Sequence, residues 1–191
     1  MRLLCVQLSD ARSELDALEG IVRAARQQSA GAAESIAKVE AALALAATLG
    51  ARDRELVLRN SAGILEWERG EYLRALRHYE AALRLARELG SQAHEGLSLN
   101  SLGVTLSRLN RHDEARTVLE ESILLNHSTG EQLLEAHALA ALGDVCSVRG
   151  RVQAARDCFE QSLALRRSLA DQAGEEQMQQ RLAQIPAPLK E

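Results

Sequence analysis

Small, apolar and polar positions recur along this 191-residue chain at a spacing of 40. Gly63, Gly103 and Gly143 stand in register, and so do Ala75, Ala115 and Ala155. Large side chains follow at Tyr79, Leu119 and Phe159. Small ones come next at Ala82, Ser122 and Ser162, then aliphatic ones at Leu83, Ile123 and Leu163. Polar and turn-forming positions keep the same step, with Gly70, Asn110 and Gly150 in one row and Gln92, Gln132 and Gln172 in another. Three ungapped copies identify an internal repeat, and a repeat decides the architecture before any single element does.

Each copy reads as two helices. Helix A is predicted over 54–69, 93–109 and 133–149, and helix B over 72–89, 113–128 and 152–170. Gly70, Asn110 and Gly150 sit where a helix C-terminus wants a left-handed residue, which Gly and Asn tolerate best. Such short turns make antiparallel neighbours. A glycine inside helix A costs about 1 kcal/mol against alanine, so Gly63, Gly103 and Gly143 need a steric reason. The predicted reason is close approach of the A and B helices where Gly103 meets the Ala115 turn. Tyr79, Leu119 and Phe159 then fill the space toward the neighbouring helix.

Composition agrees with an all-α chain. The two prolines, Pro186 and Pro188, lie at the very end, and Ala, Leu, Glu, Arg and Gln dominate the rest. Aromatic residues are only 2% of the chain, which argues against a large aromatic-lined cofactor cavity. The net charge is -4 with the signs interspersed, a poor match to nucleic acid. Lys38 and Lys190 are the only lysines; the arginine excess reads as codon bias before it reads as anion recognition. Cys5, Cys146 and Cys158 show no metal or redox spacing and are expected as reduced thiols, with Cys146 at a packing position. The short apolar start meets Asp10 too soon for a secretory leader, and no run reaches the ~18 apolar residues of a membrane span. A cytoplasmic protein is expected.

The spacing Gly, Ala, large, small resembles the tetratricopeptide repeat. With Leu56, Gly96 and Ala136 as first positions, Gly63, Ala75, Tyr79 and Ala82 and their counterparts take the family's eighth, twentieth, twenty-fourth and twenty-seventh places. Leu119 and the two serines are substitutes within that pattern. Arg59, Ala62 and Glu66 depart from it, since the family usually places larger apolar residues or a Tyr there. The 40-residue period resembles the kinesin light chain and Pins-type variants, whose helices are longer than those of the minimal repeat of about 34. The resemblance implies a right-handed α-solenoid of antiparallel helix pairs over 1–184. It would comprise a degenerate capping repeat at 1–50, clear repeats at 51–90, 91–130 and 131–170, a capping helix at 171–184 and a flexible tail at 185–191. In the capping repeat, a first helix near 8–28 brings Arg23 or Ala24 to the glycine place, and Val39 and Ala42 take the large and small places of its B helix.

In that architecture the A helices line a concave face, and equivalent positions form rows across repeats. The resemblance implies a peptide-binding groove made by Val57, Asn60, Ile64, Trp67, Leu97, Asn100, Val104, Arg108, His137 and Asp144. Asn60 and Asn100 offer both a donor and an acceptor to an extended backbone. Trp67 serves either as an aromatic anchor for a partner or as packing at the end of helix A. Chaperone-binding relatives clamp a terminal carboxylate with groove cations. Here the corresponding places hold Asn60, Ile64, Ser101, His137 and Ala141, so that function is not expected.

No phosphate loop, dinucleotide fingerprint, nucleophile elbow, zinc-protease or calcium-loop motif is present. The five histidines lack metal-ligand spacing and are expected mostly on outer faces and turns. No catalytic residue, metal or cofactor is predicted. The expected function is a scaffold that binds a protein or peptide partner, with no direct nucleic-acid or membrane role. Two alternatives belong to other classes. One is the sensor region of a bacterial signalling or transcription regulator. The other is a self-assembly module, in which Leu3, Leu4, Val6 and Leu8 drive a homodimer.

Overall fold

The computed structural model of the protein describes residues 11, 13–18, 20 and 32–186. Every regular element among them is an α-helix. Contacts divide the chain into two units between Gly90 and Ser91, at a repeat boundary. The first holds a helical stretch at 13–18 followed by α1 (Ala32–Thr48), α2 (Arg52–Glu68) and α3 (Tyr72–Leu89). The second holds α4 (Gln92–Arg108), α5 (His112–Thr129), α6 (Gln132–Val148), α7 (Val152–Ser168) and α8 (Gln172–Gln184). The predicted A and B helices are therefore present, with ends shifted by two residues at most. The expected first-repeat residues Arg23 and Ala24, the apolar start and Cys5 lie outside the described residues.

Each turn closes in the same way. After α2, α4 and α6 the chain passes through Gly70, Asn110 and Gly150 at φ 78°, 59° and 69°. The next amide then reaches back to a carbonyl inside the helix: Glu71 to Glu66, Arg111 to Leu106 and Arg151 to Cys146, each at 2.9 Å. These bonds satisfy carbonyls that the helix end leaves open. After α7 the same geometry falls on Ala170 at φ 55°, a conformation its β-carbon disfavours. Side chains do not cap the N-termini of α2 to α7, whereas α8 has such a cap, where Asp171 accepts from the Gly174 amide at 3.0 Å.

The mid-helix glycines are explained by what lies over them. A β-carbon on Gly63 would come within 2.5 Å of Tyr79 Cε1, and one on Gly143 within 2.5 Å of Phe159 Cε1. Gly103 stands in the same relation to Leu119. The large residue of each B helix thus packs onto its own A helix. Tyr79, Leu119 and Phe159 are buried, and Ala75, Ala115 and Ala155 are fully enclosed.

In the first unit, Val39 and Ala42 of α1 are fully buried with Leu15, Ala46, Leu58, Ala62 and Leu65. The departures from the repeat pattern are absorbed locally. Ala62 joins that cluster, Arg59 pairs with Glu55 at 2.8 Å, and buried Glu66 faces Arg69 and Arg74 at 3.6 and 3.7 Å. A second cluster is apolar throughout: Leu56, Ala82, Leu85 and Ala86.

In the second unit the positions equivalent to Ala82 and Ala86 become polar, while that of Leu56 shrinks to Gly96 and Ala136. Ser122 donates to the Gly96 carbonyl at 3.3 Å, and Asn126 Nδ2 donates to Ser122 Oγ at 3.0 Å. One repeat later Ser162 donates to the Ala136 carbonyl at 2.7 Å, and Arg166 takes the place of Asn126. Beyond α8, Ile185 is buried, and the carbonyls of Ile185 and Pro186 accept from Arg156 at 3.4 and 3.2 Å. The expected tail is therefore held at its first two residues; the rest of it lies outside the described residues.

Candidate ligand groove

The expected groove residues divide between the two units. On α2, Val57 is exposed, Ile64 and Trp67 are half-buried, and Asn60 is only 6% exposed. Trp67 meets the Tyr72 ring edge to face with centroids 5.9 Å apart, so its indole packs against the start of α3.

On α4, Leu97, Asn100 and Val104 are half-buried and Arg108 is exposed, while on α6 His137 and Asp144 are half-buried. Three of these six converge. Val104, Arg108 and Asp144 line one cleft of about 440 Å³ together with Ser107, Asn110, His112, Ala141, Ser147 and Val148. His137 lines a second cleft, of about 790 Å³, with Leu133, Arg166, Leu169, Asp171, Ala173, Gly174 and Gln177. Leu97 and Asn100 line neither. Asn100 precedes Val104 by one helical turn and so shares its face. Its Oδ1 is buried and accepts no hydrogen bond among the described residues.

Charges organise the first cleft. Arg181 of α8 pairs with Asp144 at 3.0 Å, donates to the Ala140 carbonyl at 3.4 Å and lies 5.7 Å from the centre of the Phe159 ring. Burial pushes the Asp144 carboxyl above the usual range, while Arg181 and then Arg108 pull it back. A carboxylate next to Val104, Ala141 and Val148 has lost water that the neighbouring guanidinium groups do not fully replace.

The second cleft contains a charged group that sequence reasoning missed. Arg166 is 5% exposed; its Nη1 lies 2.6 Å from Asp171 Oδ2 and its Nε 3.4 Å from Ser162 Oγ. The backbone amide of Gly174 and the Arg166 guanidinium hold the Asp171 carboxyl below its ordinary value. Gly174 leaves room for the pair, because a β-carbon there would overlap both Arg166 and Asp171. Burial, and then the positive charge of Arg166, lower the His137 imidazole, which is neutral at pH 7. One signal was legible: Asp171 directly before the helix-forming run from Gln172 reads as an N-cap.

Among the described residues, no group of three or more His, Cys, Asp or Glu is arranged to hold a metal ion. Cys146 is buried and Cys158 half-buried, and both are free thiols. No described helix is long and apolar enough to cross a membrane.

Known proteins place this geometry. The tetratricopeptide repeat model matches residues 53–125 and 94–168. No curated protein matches the chain. Among solved structures it is similar to aspartyl phosphate phosphatase F from Bacillus subtilis, at a TM-score of 0.76 and 13% identity, over 90% of this chain and 44% of that one. It is also similar to a putative kinesin light chain from Podosopora anserina with nearly identical TPR-like repeats. There the TM-score is 0.71 at 19% identity, over 92% of this chain and 84% of that one. A third likeness is to a signal-transduction ATPase with a tetratricopeptide repeat sensor from Pyrococcus horikoshii, with a TM-score of 0.67 and 13% identity, over 93% of this chain and 30% of that one. The chain thus spans under half the length of the phosphatase and under a third of the ATPase. These likenesses show the shared helical-repeat fold. With its Gly, Ala, large and small positions in register and more than half its length matched, the chain belongs to the tetratricopeptide repeat family, whose members are protein-interaction scaffolds.

Proposed function

We infer that this protein is a cytoplasmic interaction module without catalysis, and that its second unit takes an extended or helical segment of a partner protein along α4 and α6. The cleft of Val104, Arg108 and Asp144 supports this reading most directly. Side chains from two repeats meet there around one open space with both polar and aliphatic walls. Asn100, on the same face, keeps a buried acceptor oxygen for which a partner amide is a suitable donor. Asn60 is a weaker candidate, since burial removes it from the surface.

The test is a pull-down from source-cell lysate with the wild type and an Asn100→Ala/Arg108→Ala double variant. A protein retained by the first and lost by the second identifies the partner and assigns it to this face. Equal retention by both moves the contact away from the groove.

Likeness to the sensor-bearing ATPase favours a second reading, in which the repeats are the sensing region of a larger regulator. The mass of the native protein in source cells discriminates between the two. A protein the size of this chain supports a free-standing module, and a much larger one supports the regulator.

A further inference from the structure

We propose that the cleft where α6, α7 and α8 meet recognises an acidic side chain flanked by an aliphatic residue, presented by a partner peptide. The proposal rests on the interaction-module reading and names the chemistry of the partner. A groove read only along its A helices has no cation at the places where relatives hold carboxylates. Helix α7 supplies one from the B layer.

Arg166 is built into the floor of the cleft. Its side chain is 94% enclosed, since only 6% of it remains exposed. Asp171 and Ser162 hold Nη1 and Nε, while Nη2 has no hydrogen-bond partner among the described residues and is not sealed off from solvent. Asp171 and Ser162 therefore fix the guanidinium at Nη1 and Nε and leave Nη2 unengaged, in a residue that lines the 790 Å³ space. A guanidinium so fixed loses little freedom when it binds, and its planar donors match a carboxylate.

The surroundings select the rest of the ligand. His137 lines the same cleft, makes no hydrogen bond among the described residues and is neutral, so it offers one donor and one acceptor. Leu133 and Leu169 line it too, and remain 47% and 39% exposed. Two open leucines beside an unengaged guanidinium nitrogen suit an Asp or Glu with a Leu, Ile or Val next to it. A basic side chain would meet Arg166 at short range with only Asp171, already engaged, to offset it.

The experiment is a selection of random peptides on the full chain, followed by measured affinities. Expected is enrichment of Asp or Glu next to an aliphatic residue, with affinity reduced about ten- to hundredfold by Arg166→Met and less by Arg166→Lys. Because Arg166 is buried, Leu133→Asp and His137→Ala serve as surface variants, and melting curves verify that every variant folds. Both surface variants should also weaken binding. Selected peptides that lack an acid, or acidic peptides indifferent to all of these variants, overturn the proposal. If such peptides instead lose affinity on Asn100→Ala/Arg108→Ala, the interaction-module reading stands without it. If no peptide is enriched, both readings fail. Free glutamate and succinate form a further arm, and tight binding of either at this cleft with no peptide enriched replaces the peptide by a small acid.

Discussion

Leu119 Cγ lies 2.5 Å from the point that a β-carbon on Gly103 would occupy. The pair is a single steric unit, since the glycine lets α4 approach α5 and the leucine fills what the glycine leaves. Gly103→Leu should therefore destabilise the protein by about 1–3 kcal/mol through overpacking. Gly103→Ala should cost less in a Leu119→Ala background than in the wild type, and a double-mutant cycle from chemical denaturation measures that coupling. Additive effects would contradict the contact.

Gly96 and Asn126 form a second unit of this kind. A β-carbon on Gly96 would overlap Asn126 Oδ1, and Asn126 is fully enclosed. At the same register in the first unit Leu56 and Ala86 make an apolar version. The double variant Gly96→Leu/Asn126→Ala should thus melt well above Gly96→Leu alone. A melting temperature no higher than the single variant's would show that the two registers are not interchangeable.

Ala170 carries the turn conformation that Gly50, Gly90 and Gly130 supply after the earlier B helices. Ala170→Gly should raise stability by about 1 kcal/mol, since the left-handed backbone no longer opposes a β-carbon. Thermal or denaturant unfolding provides the check, and a loss of stability would mean that chain entropy outweighs the relieved strain.

His78 and His137 are both held below the ordinary imidazole value near 6.5, by burial first and then by Arg59 and Arg166 respectively. Below that pH the unfolded chain binds protons that the folded chain refuses. Stability is then complete above about pH 6.5, falls as pH drops through that region and levels off below the folded values. Melting temperatures should decline between about pH 7.5 and 5.5, and a His78→Gln/His137→Gln variant should flatten the decline. Asp171 titrates lower, because its depressed pKa preserves its contribution until the pH falls through that value.

Burial, and then the neighbouring Cys146, push the Cys158 thiol up to about 12, and burial raises Cys146 as well. Thiolate is the reactive form. Peptides carrying these two cysteines should stay unlabelled by iodoacetamide at pH 8 in the folded protein and react once it is denatured. Mass spectrometry reads the difference, and rapid native labelling would mean the helices open on that timescale.

The repeat and the sites where it packs were legible because they are local and steric. A small residue must recur wherever two helices cross closely, so Gly63, Gly103 and Gly143 announce the crossing in spacing alone, while the structure shows that Tyr79, Leu119 and Phe159 lie over them. Register does not determine exposure. Asn60 and Asn100 occupy the same row, yet one is buried and the other half-buried with an unsatisfied oxygen. Equivalent helix positions meet different neighbours in different repeats, and a row of letters does not carry that information.

The order of helices, their turns and the family follow from the chain itself, because capping, small-residue contacts and a 40-residue period are properties of nearby residues. The two clefts were decided by tertiary structure. Arg181 reaches Asp144 from a different helix, and Arg166 is trapped between Ser162 and Asp171 where its register partners are Asn126 and Ala86. Only when the helices are packed does burial give those charges a direction, through the water it takes from them and the partners it leaves.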